Sequence, residues 1–338
     1  MTAPVTLSRR AAIQTPPASA MPARRLALVD VARGVALLAM ALYHLTWDLG
    51  FLRLTPENAA LSPLGRAAAH GIAGSFLLLV GVSLVLSRDR TAGWRSFLAR
   101  IGRIGAAAAA ISLATSWLFP ESWIFFGILH CIAVSSVLAL PALAAPLPVV
   151  WLAAALVLAG PTLAALAGGP PLLDAPGLLF LGLGAVVPTT NDYVPLFPWF
   201  GFVLAGVGLG RMIGPRLAAS RLGAWAPRGR AGRLAARAGR HSLAIYLVHQ
   251  PLLLGLLYGV AALTGPHPRA GEAQFLREYG ATCAAAGSSE AICRATARCV
   301  LVRLRETGLW AIADRPLTAE ERAIATSIAQ ACLARNSG

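Results

Sequence analysis

The chain has 338 residues, 57% of them hydrophobic and 13% charged, and its net charge of +15 is carried by arginine. This composition excludes an ordinary soluble domain, and continuous apolar runs that approach the about 20 residues of a membrane span exclude an alternating β-barrel. The arginines lie between the runs, where they contact membrane lipid and set orientation, so nucleic acid is not expected as a partner. The sequence therefore predicts an all-α, polytopic integral membrane helical bundle.

Three regions follow one another along the chain. Residues 1–24 are rich in Ala, Pro, Ser and Thr, which predicts a disordered cytoplasmic leader. Residues 25–264 hold about seven apolar spans, and residues 265–338 form a polar tail with a helical pattern. The predicted spans are Leu26–Leu49, Arg66–Ser87, Ile101–Phe119, Trp123–Leu143, Val149–Ala167, Val194–Ile213 and His241–Thr264.

The placement of arginine predicts the orientation of these spans. Clusters precede the first span, separate the second from the third, and separate the sixth from the seventh, and the positive-inside rule makes that side cytoplasmic. The segment Leu172–Val187 is apolar enough for an eighth span, but inserting it would place the last cluster outside. We therefore expect it to be re-entrant or to lie on the surface. The clusters are Arg9, Arg10, Arg24 and Arg25; Arg88, Arg90, Arg95, Arg100 and Arg103; and Arg211 to Arg240.

Seven spans place the tail in the periplasm, and its cysteines agree with that compartment. Four of the five cysteines lie after Gly265, which suits two disulfides in a small, stapled helical extension. Their spacing contains no C-x-x-C pair, so a metal site is not expected, and the pairing stays open. The candidates are Cys283, Cys293, Cys299 and Cys332.

The first span carries ionisable residues at both ends of an apolar run. Arg33 and His44 are eleven positions apart, which is about 16–17 Å along a helix. Asp30 lies within one turn of Arg33, and Asp48 lies within one turn of His44. Capping and snorkelling at the interface would explain the first pair, and an interhelical hydrogen bond would explain His44, but intramembrane ionisable groups are also the usual sites of function.

Further histidines predict a polar cavity shared by several spans. His130 lies in the fourth span and His249 in the seventh, while His70 lies at the start of the second, near the outer face. We take His44, His70, His130 and His249 as candidate catalytic residues. The supporting residues that we expect around them are Asp48, Trp47, Ser242, Tyr246 and Gln250.

Five segments in order carry a family resemblance over about residues 25–260. They are VDVARGVALLAMALYHLTWDL, FLLLVGVSLVLS, FGILHCIAV, PLFPWFGFVLAGVGLGR and GRHSLAIYLVHQPLL. Together they resemble bacterial membrane proteins grouped with the catalytic domain of heparan-α-glucosaminide N-acetyltransferase. The spacing of Arg33 and His44 is also similar to the arginine–histidine motif of the wider transmembrane acyltransferase superfamily.

The resemblance implies an inner-membrane enzyme that moves an acyl group, expected to be acetyl, from cytosolic acetyl-CoA to a glycan or other envelope acceptor. Arg33, paired with Asp30, would then bind the coenzyme phosphates, and His44 would act as general base or accept the acyl group itself. In the animal enzyme of the family the proposed active histidine follows the first span, where this chain offers only His70. His70 is therefore the rival of His44.

Two other functions fit the same residues. The intramembrane histidines would also serve a small-solute or proton-coupled transporter as a relay, although the halves of the chain show no inverted repeat. Alternatively, the protein is a structural or assembly partner whose periplasmic tail docks another protein.

Overall fold

The computed structural model describes residues 26–88, 93–311 and 316–337, and within these ranges the fold is all-helical. The predicted leader, residues 1–24, and the arginines at positions 9, 10, 24, 25 and 90 lie outside them. The described helices are α1 Ala27–Phe51, α2 Pro63–Arg88, α3 Trp94–Leu118, α4 Ile128–Leu138, α5 Leu147–Leu166, α6 Leu196–Ala219, α7 Arg230–Arg240, α8 Ser242–Thr264, α9 Glu272–Ala285, α10 Glu290–Glu306 and α11 Ala319–Ser337.

The chain divides into two compact units. Of the described residues, the first unit comprises those in 26–30 and 77–232, and the second comprises those in 31–76 and 233–337. The first unit therefore holds α3 to α6, and the second holds most of α1, the first half of α2, and α8 to α11.

Six of the seven predicted spans are helices long and apolar enough to cross a membrane: α1, α2, α3, α5, α6 and α8. The chain is thus an integral membrane protein. Helix α3 begins at Trp94, earlier than predicted, so Arg95, Arg100 and Arg103 lie within its first turns rather than in a loop. Arginine is a good helix former and snorkels to the interface, which explains the extension.

The predicted span Trp123–Leu143 contains the eleven-residue helix α4 and the 3-10 turn Pro141–Leu143, but no membrane-length helix. Its two ends are held at the start of α6 and at Arg211 in the second half of that helix. At the first end, Asp192 precedes α6 and accepts a hydrogen bond from the Ile128 N–H (2.9 Å). At the other end, Arg211 in α6 donates to the carbonyls of Ala142 (2.9 Å) and Ala145 (2.5 Å). The chain from Ile128 to Ala145 therefore runs parallel to α6 over most of that helix's length.

The apolar segment Leu172–Val187 forms two short 3-10 turns, Pro171–Asp174 and Leu179–Leu181, and no membrane-length helix. The Asp174 carboxylate accepts a hydrogen bond from the Val186 N–H (2.9 Å), which holds the two ends of the segment together. This agrees with the prediction that the segment is not an eighth transmembrane helix.

In the second unit, α7 packs against the start of α1. A Cβ at Gly34 would collide with the carbonyl group of Ala235, so only glycine permits this approach. Ala236 and Gly239 are buried on the same helix, whereas Arg230, Arg233, Arg237 and Arg240 are exposed. Spaced three, four and three residues apart, these arginines share one helix face.

The tail contains α9, α10 and α11, joined by the two predicted disulfides. Cys283 in α9 pairs with Cys293 in α10, and Cys299 in α10 pairs with Cys332 in α11. Helix α10 supplies the buried centre of this group through Thr296, Ala297 and Val300. In a helical group of this size, such cross-links supplement a small hydrophobic core.

Candidate active site

A polar cluster lies between α1 and α8 within the second unit. The ring of His44 approaches the ring of His249 edge-on, with centroids 5.1 Å apart. One turn further along α1, the Asp48 carboxylate accepts a hydrogen bond from the Gln250 side-chain amide (2.8 Å). The structure thus brings together two of the four predicted histidines and two of the predicted supporting residues. Asp48 is fully buried, although it is a carboxylic acid within a membrane-length helix.

The surroundings of His249 define which of its nitrogens accepts a proton. Its Nδ1 lies 2.8 Å from the carbonyl oxygen of Tyr246. A carbonyl only accepts, so Nδ1 carries the hydrogen and the Nε2 of the neutral ring is an acceptor. The predicted residue Tyr246 therefore contributes its backbone, and its ring also lies 5.8 Å from the ring of His249.

Three buried acceptors in this cluster lack a hydrogen-bond partner among the described residues. They are Asp48 Oδ2, His249 Nε2 and Gln250 Oε1, and Thr296 Oγ1 in the tail is the only other such buried side-chain atom in the part of the chain that the structure describes. Buried polar atoms are nearly always paired, so three exceptions in one place make this cluster a candidate binding site for a polar ligand. Because all three accept, they match a group that donates, such as an amine or a hydroxyl.

The residue that follows His249 and Gln250 in α8 is a proline. Pro251 lies inside α8 and has no N–H, so it cannot donate to the carbonyl of Leu247 one turn earlier. The helix ladder is therefore interrupted beside His249 and Gln250. Helix interruptions at membrane depth are tolerated where they line protein or a polar cavity, and Pro251 is the sequence signal that marks this position.

The other end of α1 holds the predicted coenzyme-binding residues. Asp30 is buried in the first turn, and Arg33 is half-buried one turn later. Gly34, the next residue, contacts α7, so the arginine-bearing helix lies beside Arg33. Both residues make polar interactions in the structure.

His130 occupies a different environment, in the first unit. Its Nδ1 accepts a hydrogen bond from the Gly127 N–H (3.2 Å), and its Nε2 lies 3.2 Å from the Ser112 hydroxyl. That hydroxyl donates to the carbonyl of Ile124 (2.6 Å). With Nδ1 accepting, Nε2 carries the hydrogen and donates to Ser112, so the two nitrogens of His130 are engaged by Gly127 and by Ser112 of α3.

The same network satisfies the irregular backbone before α4. Thr115 accepts from the Ile124 N–H (3.0 Å), and Thr190 donates to the Trp123 carbonyl (2.8 Å). Sequence reasoning missed Asp192, Ser112 and Thr115. A signal was present for Asp192, because it is the only acidic residue between Asp174 and Glu272.

Asp192 predicts a pH dependence of folding. It lies outside the six membrane-length helices, and burial raises the pKa of its carboxyl to about 6, although the hydrogen bond from Ile128 partly offsets this. The folded chain thus holds this proton more tightly than the unfolded chain, whose aspartate pKa is about 3.9. The resulting stability is present below that value and is lost as pH rises through about 6.

We therefore expect the melting temperature of the purified protein to fall between about pH 4 and about pH 7, and to fall less in Asp192→Asn, which stays neutral. Thermal unfolding followed by tryptophan fluorescence at several pH values measures this difference. An equal fall in both proteins would contradict it.

The remaining predicted residues have other neighbours. His70 is exposed on α2, with Nδ1 2.7 Å from the Arg66 carbonyl. Trp47 stacks on Phe51 with ring centroids 4.8 Å apart, and Ser242 begins α8. Among the described residues, no three His, Cys, Asp or Glu side chains are grouped as metal ligands would be.

Comparison with known proteins places the chain in a family. The sequence model described as "Heparan-alpha-glucosaminide N-acetyltransferase, catalytic" matches residues 25–251, about two thirds of the chain. Comparisons with curated proteins and with solved structures found no match. The match includes α1 with Arg33 and His44, and it ends just after His249 and Gln250. The chain therefore belongs to the heparan-α-glucosaminide N-acetyltransferase catalytic-domain family, a family of membrane acetyltransferases that use acetyl-CoA.

Proposed function

We propose that this protein transfers an acetyl group from cytosolic acetyl-CoA to an amine or hydroxyl of an envelope glycan, and that the acceptor binds at the His44–His249 cluster. The observation that carries the proposal is the set of three buried, unpartnered acceptors on Asp48, His249 and Gln250. A sugar amine or hydroxyl donates hydrogen bonds and complements all three. The thioester carbonyl of the donor only accepts, so it would gain nothing from them.

The cluster also contains a proton acceptor, His249 Nε2, which acetyl transfer requires. The acceptor nitrogen or oxygen attacks the acetyl carbonyl, a new bond to carbon forms, the carbon–sulfur bond breaks, and coenzyme A leaves as its thiol. The acceptor's proton passes to His249 Nε2 and from there to the leaving sulfur. His44, whose ring adjoins that of His249, serves either as a second proton carrier or as the site that accepts the acetyl group first.

The coenzyme phosphates would bind at the start of α1. Arg33 supplies a fork-shaped donor, Asp30 orients it, and the exposed arginines of α7 add positive charge beside it. Helix geometry separates Arg33 from His44 by about 16–17 Å, which an extended pantetheine arm spans. The acetyl group is thereby delivered from the phosphate end to the histidine end of the same helix.

The orientation follows from counting seven membrane crossings, with α4 and its flanking turns as the fourth. The hydrogen bonds that hold Ile128 and Ala145 alongside α6 support counting this stretch, α4 and its flanking turn, as a crossing of the same layer as α6. The hydrogen bonds from Ser112, Thr115 and His130 satisfy the backbone of Ile124 and Gly127 just before α4, as a broken helix at membrane depth requires. The N-terminus then lies in the cytoplasm, and the tail from residue 265 lies in the periplasm of a bacterial inner membrane.

The histidines thus receive different roles. We assign the chemical step to His44 and His249, and we assign His130 to holding the irregular backbone before α4. His70 stays the rival for the chemical step, because family resemblance favours the region after the first span. The transporter alternative has no support from the family match.

Purified protein in detergent tests the proposal with acetyl-CoA and glucosamine as probes. We expect release of free coenzyme A thiol and of acetylated glucosamine, both lost in His44→Ala. Arg33→Gln raises the KM for acetyl-CoA by about tenfold or more, since a hydrogen bond to a charged group contributes about 1.5–3 kcal/mol. Arg221→Gln, an exposed arginine after α6, serves as the matched control and leaves both parameters unchanged. Absence of any acetyl-CoA binding or turnover would contradict the proposal.

A further inference from the structure

The last turn of α1 ends in an unusual backbone conformation. Arg53 has a φ of 57°, and it is the only non-glycine residue with positive φ among the described residues. It occupies the position after a helix that glycine normally takes, with the Leu54 N–H donating back to the Leu49 carbonyl (2.8 Å). A side chain disfavours this left-handed conformation, so surrounding contacts must hold Arg53 there.

Those contacts come from the start of the disulfide-linked tail. The Arg53 carbonyl accepts a hydrogen bond from the His267 N–H (2.8 Å), and its guanidinium donates to the carbonyl of Ala270 (3.2 Å). The Gly271 N–H donates to the carbonyl of Pro56 (3.2 Å). Ala270 is buried, so this junction is packed as well as hydrogen-bonded.

The tail residues that hold Arg53 are themselves fixed by the tail helices. Arg305 of α10 donates to the Pro268 carbonyl (3.0 Å) and pairs with Glu272 of α9. The ring of Phe275 packs edge-on against Trp310, with centroids 5.4 Å apart. The two disulfides then join α9 to α10 and α10 to α11. A cross-linked group of helices thus sets the position of the residues that contact Arg53.

On its other side, Arg53 adjoins the helix turn that carries Asp48. The Asp48 carbonyl accepts a hydrogen bond from the Leu52 N–H (2.9 Å), one residue before Arg53. The Asn58 side chain donates to the Trp47 carbonyl (3.3 Å), and a Cβ at Gly50 would collide with Asn58. The connection after α1 therefore folds back on the turn from which the Asp48 side chain reaches Gln250.

We propose that Arg53 is a positioning residue through which the disulfide-linked tail fixes the last turn of α1, and with it Asp48, for acetyl transfer. The proposal rests on the function proposed above. It assigns a role to the tail, which lies outside the family match at residues 25–251. It also explains why an arginine stands where glycine would be unstrained, because only a long side chain reaches the carbonyl of Ala270.

Two substitutions separate positioning from stability. Arg53→Gly relieves the backbone strain and removes the guanidinium, whereas Arg53→Lys retains a charged donor. We expect Arg53→Gly to keep its melting temperature and its KM for acetyl-CoA, but to transfer acetyl to glucosamine about tenfold more slowly, with partial recovery in Arg53→Lys. Arg277→Gln is the control, because its contact with Glu57 is long (3.9 Å) and exposed, and it leaves the rate unchanged.

Hydrogen exchange gives a readout that does not depend on catalysis. In Arg53→Gly, and in wild-type protein with its disulfides reduced, the amides of residues 52–54 exchange faster, while those at the start of α1 do not change. If exchange rises but no protein, including wild type, transfers acetyl, the proposed function fails and the positioning by Arg53 stands. If neither exchange nor transfer rate changes in Arg53→Gly, the role of Arg53 is overturned.

Discussion

Protein with asparagine in place of His249 is expected to bind acetyl-CoA normally and to transfer acetyl about 10²–10⁴-fold more slowly, the usual contribution of a general base. Asparagine can still donate to the Tyr246 carbonyl as Nδ1 does, so the helix keeps its local hydrogen bond. What the substitution removes is the Nε2 acceptor. The loss therefore appears in kcat, with the KM for acetyl-CoA unchanged.

Single-turnover transfer to glucosamine, combined with acetyl-CoA binding by calorimetry, measures the two effects separately. His249→Gln offers a comparison, because its longer side chain places an amide closer to the Nε2 position but cannot take up a proton. Val248→Ala is the matched control, since Val248 is the preceding residue and is exposed. A normal rate in His249→Asn together with loss of activity in His70→Ala would move the chemical step to the rival histidine.

The second large effect concerns the tail cysteines. In intact spheroplasts, we expect a membrane-impermeant maleimide to label the tail only after mild reduction. The reasons are that Cys283–Cys293 and Cys299–Cys332 are disulfides and that seven crossings place them in the oxidising periplasm. Cys131→Ala removes the remaining cysteine, which is buried in α4, so that any label reports on the tail alone. Reduction is therefore expected to raise the maleimide labelling of the tail from almost none to almost complete.

Mass spectrometry of the tail peptides measures the extent of maleimide labelling, with lysed spheroplasts as the reference for full labelling. Labelling only after lysis would place the tail in the cytoplasm and reduce the crossings to an even number, with α4 no longer counted. Labelling without reductant would show that the disulfides do not form in the cell.

Much of the membrane architecture was readable from the sequence because it depends on local composition. A helix that crosses lipid must be apolar along its whole length and must satisfy its own backbone, so α1, α2, α3, α5, α6 and α8 stand out as apolar runs. The family was also recognisable from ordered segments, and the match to residues 25–251 confirms it. The even set of four tail cysteines predicted two disulfides, as the structure has them.

The irregular part of the fourth predicted span could not be predicted from local composition. Trp123–Leu143 has the composition of a span, but only Ile128–Leu138 is α-helical. The rest is held by Ser112, Thr115, Asp192 and Arg211, whose positions in sequence are 9 to 69 residues from the backbone groups they bind. Hydropathy has no information on such long-range hydrogen bonds.

The sequence by itself determined the class of protein, the approximate spans and a short set of candidate residues, because each depends on residue type and spacing along a single helix. Only the tertiary structure decided which candidates meet. It pairs His44 with His249 and Asp48 with Gln250, pairs the cysteines, and joins Arg53 to the tail. These contacts join residues far apart in the chain, and they depend on how helices pack, which periodicity does not specify.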